Sequence, residues 1–353
     1  MRICLDATPL LGERTGVGRY TLSLLTALPA YDDQLVATAF TLRGHGRLAP
    51  RVPPGVEVAG RAVPVGALHR LWSRAEWPPV ELLGGRSDVF HATNFVLPPL
   101  RKSRGVVTIH DLSYLHHPDT VSAASARYRE LVPRSLARAA VVVTPSAATA
   151  GLLQDAYDVR VPVHVTPLGV GSQWTGAAPL DDVARGRLGL PSTYVLFVGT
   201  LEPRKDLRTL LSAHRLVPDA PPLVLVGPAG WGEQLDVSGC ITPGFLADDV
   251  LPSVVAGAAA LVLPSRDEGF GLPVLEALRT GTPVVASDLP VLREVGGEVV
   301  TYAEAGNPSS FAAALEQVLA DPGDAAGRRT HAAAFTWARC AEATRAAYSL
   351  ALT

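Results

Sequence analysis

Short, continuously apolar runs that end at a polar residue or a glycine recur along the whole chain and alternate with helical stretches. No other feature limits the fold as much. "VVTIHD", "AVVVTPS" and "VHVTPLG" are such runs in the first half, and "PLVLVGP", "ALVLPS" and "TPVVASD" in the second. A strand that is apolar at every position is covered on both faces, and strands that alternate with helices build parallel sheets between helical layers. Both halves also open alike. "RICLDATPLLGERTGVGRYTLSLLTAL" reads as strand, glycine-rich loop and helix, and "TYVLFVGTLEPRKDLRTLLSAHRLV" repeats that order after Pro191. A chain of 353 residues exceeds one ordinary core. The expectation is an α/β protein of two doubly wound domains, with ligands at the carboxyl ends of the strands and, if the sheets face each other, in a cleft between them.

The Gly, Pro and Asp-rich stretch from Pro167 to Ser192 marks the join. The expected division is a first domain over 1–172, a linker over 173–191, a second domain over 192–335 and a final helix over 336–353. Hydrophobic residues make up 48% and charged ones 18%, which excludes a disordered chain. Runs such as "VVVTP" and "ALVLP" stop well short of the roughly 20 residues needed to cross a bilayer. "MRICLDATPLL" has neither the length nor the cleavage site of a signal peptide, so a cytoplasmic protein is expected. Cys4, Cys240 and Cys340 are odd in number and far apart, which indicates neither a disulfide framework nor a zinc site. Net charge is −2, and no nucleic-acid partner is expected. Up to residue 172 basic side chains exceed acidic ones by five, and beyond it acidic exceed basic by seven. That polarity suits a first domain facing an anionic membrane or acidic acceptor, and equally a drift of surface charge.

Chemistry concentrates in "SRDEGFGLPVLEALRTGTPVVAS", Ser265 to Ser287. "ALVLPS" reads as a strand, "RDEGFG" as its exit loop, and "LPVLEALRTG" as a helix with Pro273 in its first turn and Gly281 past its end. Gly269 and Gly271 let the backbone approach a ligand, and the amides from Phe270 to Leu272 join the helix dipole in an anion site suited to phosphate. Glu268 and Glu276 would repel phosphate, so they suit neutral hydroxyls on either side of it. A nucleoside diphosphate sugar has that layout: sugar hydroxyls, diphosphate, ribose hydroxyls. Arg204 and Lys205, in the loop after the second half's first strand, can balance the diphosphate. Lys205 is one of two lysines in the chain, the other being Lys102.

"EGFGLPVLEAL" resembles the E-x7-E motif of retaining glycosyltransferases of the GT-B fold. "FVGTLEPRKDLRTLL", "TIHDLSYLHHPDT" and "TGVGRYTLSLL" resemble the matching segments of family 4, with its mannosyltransferase-like members. The resemblance runs in order over nearly the whole chain. It implies two Rossmann-like domains facing across a cleft, with the final helix crossing back to the first, acceptor-side domain. It further implies that Glu268 contacts the donor sugar, Glu276 the ribose, and Arg204 with Lys205 the diphosphate. Gly244, Phe245 and Leu246 fall in the family's base-side segment. His110 would approach the transferred sugar, and the loop with Gly16, Gly18 and Arg19 would close over the donor phosphates or the acceptor. Some relatives carry a basic residue where this chain has Thr200, leaving the diphosphate one cation fewer.

In "ERTGVGRY" the third glycine of a dinucleotide fingerprint is replaced by Thr21, and the next strand lacks the ribose-binding acid, which speaks against a nicotinamide enzyme. His110 and Asp111 follow the strand "VVTI", hence sit at its carboxyl end, while His116 and His117 read as loop residues. No Asp-x-Asp occurs, so no metal and no cofactor are expected. Arg127, Arg134 and Arg138 fall on one side of a helix, as a membrane-docking face or a solvated one. The reading is a cytoplasmic enzyme, peripheral at the membrane, that moves a hexose, foremost mannose from GDP-mannose, to a saccharide or lipid-linked acceptor with retention. The alternatives are a sugar-nucleotide hydrolase or epimerase of the same fold and a catalytically silent sugar-nucleotide-binding subunit.

Overall fold

The apolar runs become two all-parallel sheets in the computed structural model, which describes residues 1–353 apart from 13–15, 42–43, 62, 64, 73 and 233–234. The chain divides into two units. The first holds Met1–Leu115, Ala123–Gly169 and Trp337–Thr353, the second His116–Ser122 and Val170–Thr336.

In the first unit the strands are β1 (Arg2–Asp6), β2 (Gln34–Thr38), β3 (Glu57–Val58), β4 (Val89–Ala92), β5 (Arg104–Thr108), β6 (Val141–Thr144) and β7 (Val163–Val165). They lie in the order β3-β2-β1-β4-β5-β6-β7, with Ile3, Cys4 and Leu5 of β1 beside Val89, Phe90 and His91 of β4. β4 and β6 are buried at every position, as two-sided cover requires. The helix Trp337–Leu352 packs on β5, β6 and the Gly16–Ala27 helix, so this unit takes its cover from residues far along the chain.

That long-range docking includes a buried polar chain. His91, inside β4, pairs its Nδ1 with the Tyr348 hydroxyl at 2.7 Å and its Nε2 with Thr108 Oγ1 at 2.7 Å; Thr108 also meets the Tyr20 hydroxyl at 3.0 Å. Burial, helped by the neighbouring His110, pushes the His91 pKa down to about 3, so the fold holds its ring neutral. The unfolded chain takes up this proton near pH 6.5. The stability His91 carries is therefore complete above pH 6.5 and is lost as pH falls toward 3. About 2 kcal/mol should go between pH 6.5 and 5. Denaturant unfolding at both pH values tests this: His91→Asn should flatten the pH dependence, and an unchanged slope refutes the assignment.

The second unit has β8 (Val195–Val198), β9 (Leu223–Val226), β10 (Ile241–Gly244), β11 (Ala260–Leu263), β12 (Val284–Ser287) and β13 (Thr301–Ala303) in the order β10-β9-β8-β11-β12-β13. Strand order reverses between β8 and β11, the switch point where doubly wound sheets bind ligands. Crossovers are right-handed, so the helix between β8 and β9, Leu207–Leu216, and the helix between β11 and β12, Leu272–Thr280, lie on opposite faces. Leu207–Leu216 packs on Pro308–Ala320, and Leu272–Thr280 on Leu251–Ala256, Pro290–Gly296 and Ala325–Ala333.

The stretch 173–191 belongs to this unit and has structure of its own. Trp174 is buried in it, and Asp181 caps the helix Asp182–Arg187 by accepting from the Ala184 amide at 2.7 Å. The expected basic face does not hold together. Arg127 and Arg134 are exposed, but Arg138 donates to Glu76 at 2.6 and 2.8 Å and to the carbonyls of Leu97 and Trp72. No helix among the described residues is long and apolar enough to cross a membrane.

Candidate active site

At the switch point of the second unit the loops leaving β8 and β11 meet. The loop after β9 passes so close to the loop after β8 that a Cβ on Gly227, at φ +145°, would fall 2.0 Å from the Gly199 carbonyl oxygen. The loop after β8 makes a 3-10 turn over Pro203–Lys205. Asp206, in the left-handed region at φ +46°, caps the Leu207–Leu216 helix through Thr209. Across from it, the Arg266 amide donates to the Arg204 carbonyl at 2.9 Å and ties the two loops together.

This turn brings Arg204 and Lys205 onto Glu268, 63 residues away in sequence. Lys205 Nζ donates to Glu268 Oε1 at 2.5 Å, Ser265 Oγ donates to the same oxygen at 2.7 Å, and Arg204 Nη1 lies 3.5 Å from Glu268 Oε2. Arg204 also donates to Glu202 at 2.7 Å and to the Asp267 carbonyl at 3.0 Å. Glu268 and Lys205 are 7% and 8% exposed, so this is a buried ion pair. Burial alone pushes the Glu268 carboxyl up. The charges of Lys205 and Arg204, with the hydrogen bonds from Lys205 and Ser265, outweigh it and hold the group below its ordinary range, as a carboxylate.

Next to the pair begins the Leu272–Thr280 helix. Gly271 occupies its cap at φ +95°, and no side chain caps its first amides, a terminus fit for an anion. Glu276 is buried in the second turn of that helix. Phe270, expected only for its amide, turns its side chain into the core, edge-on to Phe335 at 6.1 Å. Gly244 closes β10 at φ +78°, followed by the half-exposed Phe245 and the buried Leu246.

The first unit places His110 just past β5. Its Nε2 donates to the Thr93 carbonyl at 2.8 Å, and the rings of Tyr20 and Phe95 stand edge-on to it. Burial lowers its pKa against the opposing effects of the Thr93 carbonyl and Asp111, so the ring is neutral with its proton on Nε2 and Nδ1 left as an acceptor. Gly16, Gly18 and Arg19 form the first turn of the Gly16–Ala27 helix, while residues 13–15 of that loop lie outside the described residues.

Four participants escaped the sequence reading. Glu202 and Ser265, which fix Arg204 and Glu268, stand two and three residues before them, and that proximity was the available signal. Arg266 reaches Asp206 at 3.1 Å. His117, read as a loop residue, sits with the second unit near Arg266 and Arg204: burial first, then these and other cations, lower its pKa against the pull of Asp119.

Residues 14–173 match the family described as Glycosyltransferase Family 4, and residues 192–321 match that described as Glycosyl transferases group 1. O-antigen chain mannosyltransferase B of Escherichia coli is 29% identical, with 99% of this chain and 100% of that protein covered. O-antigen chain mannosyltransferase RfbU of Salmonella typhimurium is 24% identical, with 86% and 87% covered. Sucrose-phosphate synthase from Thermosynechococcus elongatus shares the fold at a TM-score of 0.75 and 20% identity, with 98% of each chain covered. HepE of Anabaena, solved with UDP-glucose, does so at 0.72 and 19%, with 98% and 99% covered.

Proposed function

Since the chain belongs to the glycosyltransferases of family 4 and group 1, we propose that it transfers mannose from GDP-mannose to a saccharide or lipid-linked acceptor in the cytoplasm, with retention at the anomeric carbon. The observation that carries this reading is the ion cluster of Arg204, Lys205 and Glu268 at the switch point, beside a helix start with no side-chain cap. Mannose is the sugar named for the two relatives matched over most of their length.

In this reading Lys205, Arg204 and the amides from Gly271 onward receive the diphosphate, releasing Glu268 to accept hydrogen bonds from hydroxyls of the donor sugar. Glu276 holds the ribose, and the segment Gly244 to Leu246 lies by the base. His110 offers Nδ1 to a sugar hydroxyl. As the bond from the anomeric carbon to the phosphate oxygen breaks, its electron pair stays on the diphosphate. The acceptor oxygen attaches from the same face, and its proton passes to the departing phosphate. The cations and helix amides stabilise that leaving group.

Thermal unfolding with GDP, UDP, dTDP and ADP tests the donor. GDP should stabilise most, by about 2.7 kcal/mol at 100 times its dissociation constant. A larger effect from another nucleotide refutes the GDP assignment. Glu276→Ala should weaken GDP by roughly 1.5 to 3 kcal/mol and raise KM more than it lowers kcat. Calorimetry showing unchanged GDP affinity would move the ribose elsewhere. The reading requires no metal ion: transfer should persist in EDTA, and activity lost to EDTA and restored by magnesium or manganese overturns that part.

A further inference from the structure

A cavity of about 480 Å³ opens in the second unit beside the ion cluster, where the loop after β8 passes the loop after β9. It borders the start of the Leu207–Leu216 helix, on the sheet face opposite the Leu272–Thr280 helix with Glu276. Glu276, proposed above to hold the ribose, is on the other face of the sheet. Its apolar wall includes Leu201 and Leu235 and one aromatic ring, Trp231, which is 43% exposed. The Trp231 indole is anchored at its edge, with Nε1 donating to the Thr120 carbonyl at 3.3 Å. The rim is polar and mixed in sign, with exposed Asp119, Arg208 and Arg266.

The charges here are largely matched. Asp206 accepts from Arg266 and Thr209, and Glu202 accepts from Arg204. Such a wall repels a polyphosphate through its carboxylates and offers no surplus charge to an ionic ligand. What fits is a neutral molecule with an apolar face for the indole and a rim of groups that both donate and accept. A pyranose has that form: its axial C–H bonds make a flat apolar face, and its hydroxyls can donate to Asp119 and accept from Arg208.

We propose that this cavity binds one neutral sugar residue of a saccharide, resting on Trp231, beside the ion cluster. It rests on the saccharide-acceptor reading above, and gives the chain a hold on an acceptor sugar other than the one that reacts.

The test is tryptophan emission during titration with α-mannotriose in the absence of nucleotide. The wild type should show a saturable change at millimolar sugar. Trp231→Ala should abolish it, Trp231→Phe should keep binding as judged by calorimetry, and Asp119→Ala should weaken it tenfold or more. GDP affinity should be unchanged in all three variants, which also shows that they are folded. No saturable binding, binding that survives Trp231→Ala, or competition by guanosine overturns the proposal. Saturable binding of maltotriose in place of mannotriose, lost with Trp231, upholds the pocket and removes the mannose assignment instead.

Discussion

Glu268→Ala should lower kcat by about 100-fold or more, the effect of losing some 3 kcal/mol of electrostatic stabilisation as the donor sugar gains positive charge. Its second signature is in binding. Glu268 occupies Lys205 at 2.5 Å and Arg204 at 3.5 Å, so in the free protein it competes with any diphosphate for those cations. Removing it takes from Lys205 its ion partner and leaves Arg204 to Glu202, and affinity for GDP should stay level or rise while turnover collapses. Calorimetric GDP binding beside steady-state kinetics resolves the two effects. If Glu268→Ala loses GDP affinity while Glu276→Ala retains it, the donor lies the other way round.

Lys205→Met should be among the most damaging single changes to stability. The pair is almost fully buried, and removing one partner strands the other charge. About 3 to 5 kcal/mol of stability should be lost, because the Arg204 contact at 3.5 Å and the Ser265 hydrogen bond compensate the Glu268 carboxylate only in part. The double variant Lys205→Met with Glu268→Gln buries no stranded charge and should recover most of that loss. Denaturant unfolding of the two singles and the double measures the coupling. A single variant costing less than about 1 kcal/mol, or a double no more stable than Lys205→Met, would falsify the claim that the pair is energetically coupled. In the same variants GDP affinity should fall about tenfold or more wherever Lys205 is absent, since a charge-assisted bond to phosphate is lost.

The parallel sheets were legible because their strands are apolar at every position, a pattern that burial on both faces enforces. Proline and glycine likewise mark the bounds of the Leu272–Thr280 helix, with Pro273 in its first turn and Gly281 at its cap. Partners across the sheet were not legible. Glu268 and the Arg204–Lys205 step are some 63 residues apart, and nothing local in either loop says that the acid neutralises the cations before a ligand does. Arg138 failed for the same reason: helical periodicity set it on a basic face, but Glu76, 62 residues away, draws it in. His91 was invisible for a different reason. A lone histidine in an apolar strand gives no sign of its partners until Tyr348, 257 residues later, comes to rest against it.

The helix Trp337–Leu352 completes the first unit only after the entire second unit has been translated. From Gly169 to the end of that helix, a ribosome adding roughly 5 to 20 residues per second needs on the order of ten to forty seconds. Through that interval β5 and β6 lack the cover of this helix and His91 lacks the Tyr348 hydroxyl. The half that begins first is thus the half that matures second, and the nascent chain's period of greatest exposure to aggregation belongs to its amino-terminal sheet.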